Sequence, residues 1–331
     1  MDIWSLSDLC TPWCMHVVAT LRVADHIAAG KSDITELAAA CQSDGESLGR
    51  VMRHLVSKGV FEEAERGRFV LNEPARALLE PPARLGLDLD GIGGRMAYAW
   101  GSLLSAVRTG RPAYHEIFER PFWEDLGSNP RITESFDALM GPGHGTPDAD
   151  VLIRDDWDSV KTVVDVGGGT GSLLAEILRA HAAVRGTLVD LPATVARSRE
   201  VFEAAGVTER VTVVGQSFFD PLPASGDVYL LKSVLSDWPD AEASTILRRC
   251  AEAAIPSGRV VVLNGVTPDE AGGPSPALLM MVLVGGKDRT LTEFNKLAAG
   301  AGLQVTATER KRSGRFVVEC RPTSVRQGAN S

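Results

Sequence analysis

Val163-Val164-Asp165-Val166-Gly167-Gly168-Gly169-Thr170-Gly171 sets an apolar, β-branched run directly before a glycine-rich turn. Glycine lets the backbone approach a ligand closely, because no Cβ stands in the way. The next apolar run ends Thr187-Leu188-Val189-Asp190, placing an acid 21 residues beyond Gly169. A carboxylate at about that spacing suits a ribose diol, since it accepts hydrogen bonds from both hydroxyls. A glycine loop alone would serve NAD, FAD or S-adenosylmethionine (SAM), or be only a turn. Asp190 alone would be a helix N-cap or a surface acid.

These residues need a strand–turn–helix frame, and the second half of the chain supplies it. Strands are expected at Thr162–Val166, Gly186–Val189, Val211–Val214, Val228–Leu231, Arg259–Leu263, Gln304–Thr306 and Phe316–Glu319. Helices are expected at Leu173–Ala180, Thr194–Ala205, Ala241–Ala254 and Thr292–Ala301. Alternation of the two predicts βαβ units and a mainly parallel sheet, an α/β Rossmann-like domain. No full helix separates the last two strands, so the final one is expected antiparallel.

The first half reads differently. Residues 3–29 form an amphipathic helix pattern, with a kink or restart expected at Pro12 and a C-terminal Gly30. A second helix starts near Ser32 or Asp33, and a third covers Ser47–Val56. Val60–Glu63 and Arg68–Leu71 then make a hairpin around Gly67. Three helices and a hairpin are the winged-helix order, which also occurs in DNA-binding proteins. Arg50, Arg53 and His54 are mildly basic, but the hairpin Glu-Glu-Ala-Glu-Arg-Gly-Arg and the net charge of −9 oppose nucleic acid. A dimerisation module is the preferred reading, with the domain division placed at residues 1–150 and 151–331. Gly141–Gly145 is a hinge candidate.

Asp-Val-Gly-Gly-Gly-Thr-Gly, Val-Asp-Leu-Pro, Gly-Gln-Ser-Phe-Phe-Asp-Pro-Leu-Pro, Leu-Leu-Lys-Ser-Val-Leu-Ser-Asp-Trp-Pro-Asp and Gly-Gly-Lys-Asp-Arg-Thr-Leu-Thr-Glu-Phe occur in that order. This series resembles the SAM-dependent small-molecule O-methyltransferases. That family includes plant phenolic enzymes and bacterial enzymes tailoring polyketides and enediyne naphthoates. The resemblance covers nearly the whole chain and implies a class I methyltransferase domain behind a winged-helix-like dimerisation domain. It implies SAM as cofactor, with Gly167 at the methionine part, Gly169 also cofactor-binding and Asp190 at the ribose. Ser217 and Phe218 would lie beside the adenine, Lys232 near the cofactor, and Trp238 stacked on the adenine. Many relatives carry aspartate at the position of Ser217. A homodimer and a small aromatic or polyketide-type substrate are also implied. The substrate is expected between the domains, against Trp123, Met140, His144, Met280 and Met281.

The catalytic positions depart from the family. Its His-Asp-Trp triplet is here Ser236-Asp237-Trp238, and serine has no useful basicity near neutral pH. The two glutamates that flank the family's histidine correspond to Asn264 and Asp288. Methyl transfer by proximity is the first reading, because the donor is already activated and an acidic phenol needs mainly positioning. Asp237 or His144 would then take the proton. A non-methylating use of SAM, in decarboxylation, hydroxylation or pericyclic closure, is the second. A binding partner without activity and a SAM-sensing winged-helix regulator are the others.

The 331 residues, 44% hydrophobic and 23% charged, fit two globular domains. The acidic balance argues against a general nucleic-acid binder. No apolar run approaches the ~18–20 residues that cross a bilayer, and no basic leader precedes the first helix. Five cysteines, an odd number and most of them far apart, are expected as reduced thiols in a cytoplasmic protein. Cys10 and Cys14 are one helical turn apart, yet no neighbouring His or Cys in sequence completes a zinc site, so no metal is expected.

Overall fold

The computed structural model describes residues 2–140, 149–271 and 277–323. The chain divides into two compact units, Met1–Trp100 with Asn129–His144 and Gly101–Ser128 with Gly145–Ser331. Gly101–Ser128, expected with the N-terminal part, is thus grouped with the sheet-bearing unit. Within that unit the helix Phe122–Ser128 packs on the helix Leu278–Val284, and Ala113 N donates to Val282 O at 3.2 Å.

The first unit opens with α1 (Ile3–Leu6), α2 (Cys10–Thr20), α3 (Val23–Ala28), α4 (Ile34–Ala40) and α5 (Gly45–Ser57). The hairpin of β1 (Glu62–Glu65) and β2 (Arg68–Val70) follows, antiparallel as expected. Residues 3–29 are three helices rather than one. The first break is made by Asp8, whose Oδ1 accepts from Cys10 N at 2.8 Å and Thr11 N at 3.2 Å and so starts α2. Pro12 does not kink the helix; it lies in the first turn, where a missing N–H costs nothing. The second break is at Arg22, in the left-handed region with φ 57°. Asp33 caps α4 and Asp44 caps α5, accepting from Thr35 N and Ser47 N. Val18, Leu37, Met52, Leu55 and Phe69 form its fully buried core. Folding also carries His54 of α5 to the start of α2, beside Cys10 and Cys14. The three side chains meet only through the packing of α5 on α2, which spacing along the chain does not show.

The second unit is built on a seven-stranded sheet. Its strands are β3 (Thr162–Val166), β4 (Arg185–Asp190), β5 (Val211–Gly215), β6 (Val228–Lys232), β7 (Arg259–Leu263), β10 (Leu303–Arg310) and β11 (Phe316–Pro322). Two short segments, β8 (Val266–Thr267) and β9 (Arg289–Thr290), pair separately in parallel. The sheet order is β10-β11-β7-β6-β3-β4-β5. Strands β3 to β7 are parallel, and β11 is antiparallel to both β7 and β10, as expected of the final strand. The expected helix Thr194–Ala205 is two pieces, Pro192–Val195 and Ser198–Ala205. Buried Ser198 explains the break, because its Oγ donates to Val195 O at 2.7 Å. Chain direction reverses its lateral march between β3 and β6, so the carboxyl ends of these two strands flank a topological switch point.

Candidate active site

The glycine loop leaves β3 at the carboxyl edge of the sheet. Gly167 has φ +70°, and its N donates to Val189 O at 2.8 Å, tying the loop to β4. A Cβ on Gly167 would lie 2.8 Å from Val234 Cγ2 and 3.4 Å from Phe218 Cε1. Asp190, at the end of β4, accepts from Gly169 N at 2.8 Å and from Leu191 N at 2.7 Å. Burial raises its carboxyl above the ordinary value, with the Gly169 N–H opposing. The Thr194 side chain also hydrogen-bonds this carboxyl, which leaves about one of its roughly four acceptor positions for a further donor.

Asp165 is the acid of the strand that leads into the glycine loop. It is 1% exposed, directly beneath Gly168, and its Oδ2 accepts no hydrogen bond within the described structure. Burial pushes its carboxyl up to about 7; the Lys232 charge opposes this and Asp190 adds to it. Lys232 ends β6, and burial followed by the Arg315 charge holds its ammonium below the ordinary value. An acid inside an otherwise apolar, buried strand was the available signal for Asp165.

An aromatic group lies beside the loop. Trp238 meets Phe218 edge-on at 5.9 Å and Phe219 edge-on at 4.9 Å between ring centres, and stacks with Trp123 at 6.1 Å and 21°. Ser217 begins the turn after β5, and its Oγ accepts from Phe219 N at 3.2 Å. Its hydroxyl oxygen is therefore engaged locally. Arg249, missed in the sequence, pins the same turn by donating from Nε to Phe219 O at 2.8 Å.

The turn Leu235–Asp237 follows β6 and carries Ser236 and Asp237. Arg289, also missed in the sequence, is 1% exposed and holds this turn from beneath. It donates to Leu235 O and Trp238 O, both at 2.8 Å, and to Asp240 Oδ1 at 2.9 Å. Gly286 packs on the same turn: a Cβ there would collide with Ser236 O and lie 2.7 Å from the Asp237 carbonyl carbon. Burial, and next the Asp288 charge, push the Asp237 carboxyl up to about 7. Burial also raises Asp288. Asn264 follows β7 with φ 67°, a conformation Asn tolerates well, and its Nδ2 donates to Ser233 Oγ at 2.9 Å. That bond links the ends of β6 and β7.

Met280 and Met281 are half-buried on the helix Leu278–Val284, which packs against the Leu235–Asp237 turn and the Trp123 helix. The second unit therefore gathers Gly167, Gly169, Asp190, Ser217, Phe218, Lys232, Trp238, Ser236, Asp237, Asn264, Asp288, Trp123, Met280 and Met281 on adjoining loops and helices. Met140 is exposed and belongs to the first unit. His144, with the hinge candidate Gly141–Gly145, lies outside the described residues. A loop open to close approach, an acceptor-bearing Asp190, an unpartnered Asp165 oxygen and an aromatic group fit a nucleoside cofactor carrying an ammonium.

The family model described as O-methyltransferase domain matches residues 100–304, and the O-methyltransferase dimerisation domain matches residues 4–81. The chain is 43% identical to 2,7-dihydroxy-5-methyl-1-naphthoate 7-O-methyltransferase of Streptomyces carzinostaticus, over 92% of each protein. It is 42% identical to aclacinomycin 10-hydroxylase RdmB of Streptomyces purpurascens, over 92% of this chain and 84% of that one. Among solved structures, it resembles the O-methyltransferase NcsB1 from neocarzinostatin biosynthesis, in complex with SAM and 2-hydroxy-5-methyl naphthoic acid. That match has a TM-score of 0.89 at 40% identity, over 97% of this chain and 99% of the other.

Proposed function

Because the chain belongs to the O-methyltransferase family, we propose that it transfers a methyl group from SAM to a hydroxyl of a small aromatic or polyketide-type metabolite, by positioning rather than through a histidine base. The observation that carries this reading is the turn after β6, whose backbone Arg289 fixes and which carries Ser236 where the resemblance puts the family's base. Among the described histidines of the second unit, His181 stacks on Trp157 at 4.1 Å and His115 is exposed on its own helix.

When bound, SAM supplies a methyl group already activated by its sulfonium. Gly167 and Gly169 admit the methionine part, and Asp165 beneath them offers its free oxygen to the ammonium. Asp190 accepts from a ribose hydroxyl, while Phe218 and Trp238 flank the adenine and Ser217 contributes only weakly. Lys232 offsets the carboxylates of Asp165 and Asp190. Trp123, Met280 and Met281 line the acceptor. Asn264 and Asp288 frame Ser236 and Asp237 without supplying a strong base. Asp237, with a carboxyl near neutrality, takes the phenolic proton as the methyl moves. Holding the reacting atoms in line supplies most of the rate.

The N-terminal unit serves as the homodimerisation domain. Its match to that family and the exposed Ile3, Trp4, Leu6 and Leu9, at 65–82%, support this. The same assignment weighs against a winged-helix regulator. No helix among the described residues is long and apolar enough to cross a membrane, and the five free thiols support a cytoplasmic setting.

The hydroxylase relative keeps one competitor specific. Incubation with SAM and hydroxylated naphthoates separates the two. One S-adenosylhomocysteine per methylated product is expected. A changed product without S-adenosylhomocysteine rejects methyl transfer.

A further inference from the structure

We propose that Cys10, Cys14 and His54 form a binding site for a soft divalent metal, zinc above all, in the N-terminal unit. Cys10 is the first residue of α2 and Cys14 is one turn on, so both side chains leave the same face of the helix. Their sulfurs are 3.9 Å apart. A tetrahedral zinc with Zn–S bonds of about 2.3 Å separates two sulfur ligands by about 3.8 Å. The thiol pair therefore stands at ligand spacing without rebuilding the helix. One ring nitrogen of His54 and the two sulfurs all lie within 4.8 Å of one another. Closing the histidine onto a shared metal takes a small shift, since a tetrahedral S–N edge is about 3.6 Å.

The ring is held for this task. His54 Nε2 lies 2.9 Å from Thr11 Oγ1, and that hydroxyl donates to Asp8 Oδ2 at 2.6 Å. With the Thr11 hydroxyl donating to Asp8, Nε2 is the protonated nitrogen and Nδ1 is left with the lone pair a metal needs; such a hydroxyl–carboxylate chain fixes the tautomer, as the outer partners of zinc histidines do. Cys14 is 9% exposed and Cys10 is open to solvent, so the site has a sheltered ligand and an entry path. Two sulfurs and an imidazole select zinc over magnesium or calcium, which take oxygen ligands. Three protein ligands leave the fourth position to water or an added thiolate. Bound metal would join the start of α2 to α5, residues 44 positions apart in the chain at Cys10 and His54. No step of methyl transfer uses these residues.

The test titrates the full-length, chemically reduced and chelator-stripped protein with cobalt(II) and then zinc. The expected result is one metal per chain, with a thiolate-to-cobalt charge-transfer band that zinc abolishes. Cys10→Ser, at an exposed position, should weaken cobalt binding at least tenfold and diminish the band, as should Cys14→Ser and His54→Asn. Zinc should raise the Tm of the parent protein but not that of Cys10→Ser. Circular dichroism and SAM binding of each variant report whether it folds. Absence of the thiolate band, or a band and affinity unchanged in folded Cys10→Ser, overturns the proposal.

Discussion

Arg289 donates from Nη2 to the carbonyl oxygen of Trp238 at 2.8 Å, with its whole side chain 1% exposed. The cation of the β9 segment thereby sets the backbone of the turn that carries both the aromatic ring and Ser236. Catalysis by positioning depends on such a fixed turn, because a displacement of about 1 Å can cost ~10²-fold in rate.

Replacing Arg289 with leucine should destabilise the protein by about 2–5 kcal/mol. Leu235 O and Trp238 O would lose charged donors in a buried setting, and each unsatisfied group costs about 1–3 kcal/mol. Urea unfolding followed by circular dichroism measures this. An unchanged midpoint with an unchanged m-value would show that the turn stands without its clamp. Arg289→Lys should recover only part of the loss, since one ammonium cannot span both carbonyls and Asp240.

Asp165 predicts a specific pH dependence of stability. Its carboxyl is pushed up to about 7 in the folded protein, against an ordinary value of 3.8. Between those values the folded state holds a proton that the unfolded state releases. Stability contributed by this group therefore falls as pH rises from about 4 to 7, then stays level. Asp165→Asn should flatten that part of the curve while keeping the fold. Tm measured across this range checks it, and an identical slope in the variant would place the titration elsewhere.

The two strands β3 and β7 were legible to the residue because each is a buried run of β-branched side chains bounded by a turn. Asp190 and the glycine loop were legible because they meet at a fixed spacing along the chain, which the Gly169 N to Asp190 Oδ2 bond closes in the fold. Arg289 was not, since its partners Leu235, Trp238 and Asp240 are about 50 residues away and two of them offer only carbonyls. The split of residues 194–205 was hidden for a local reason: a single serine turning its hydroxyl onto Val195 O does not disturb the apolar periodicity. Cys10, Cys14 and His54 became a group only when α5 packed on α2.

Asp190→Ala should weaken SAM binding roughly tenfold to a hundredfold, in line with about 1.5–3 kcal/mol for hydrogen bonds to a charged group. Part of the loss comes from freeing Gly169 N, whose bond shapes the loop. S-adenosylhomocysteine shares the ribose and should lose affinity by the same factor. Isothermal titration calorimetry with both ligands measures this. Full-strength binding by the variant would remove Asp190 from the ribose assignment.

The turn after β6 yields the test of the reaction itself. Ser236→Ala should leave kcat within about threefold of the parent, because the serine hydroxyl has no useful basicity near neutral pH. Among the described residues its Oγ hydrogen-bonds Ser233 O, at a long 3.4 Å, so the turn should survive the change. Asp237→Asn should slow turnover by roughly 10², the lower end of what a single acid–base group contributes. The Asp237 carboxyl, pushed up to about 7 by burial and the Asp288 charge, is ionised only above that pH. The parent rate should accordingly climb through neutrality, and the climb should vanish in Asp237→Asn while persisting in Ser236→Ala. Profiles of kcat/KM against pH, with S-adenosylhomocysteine counted per turnover, read both effects. A Ser236→Ala variant without activity would mean that the hydroxyl acts in the chemistry, and positioning alone would no longer account for the rate.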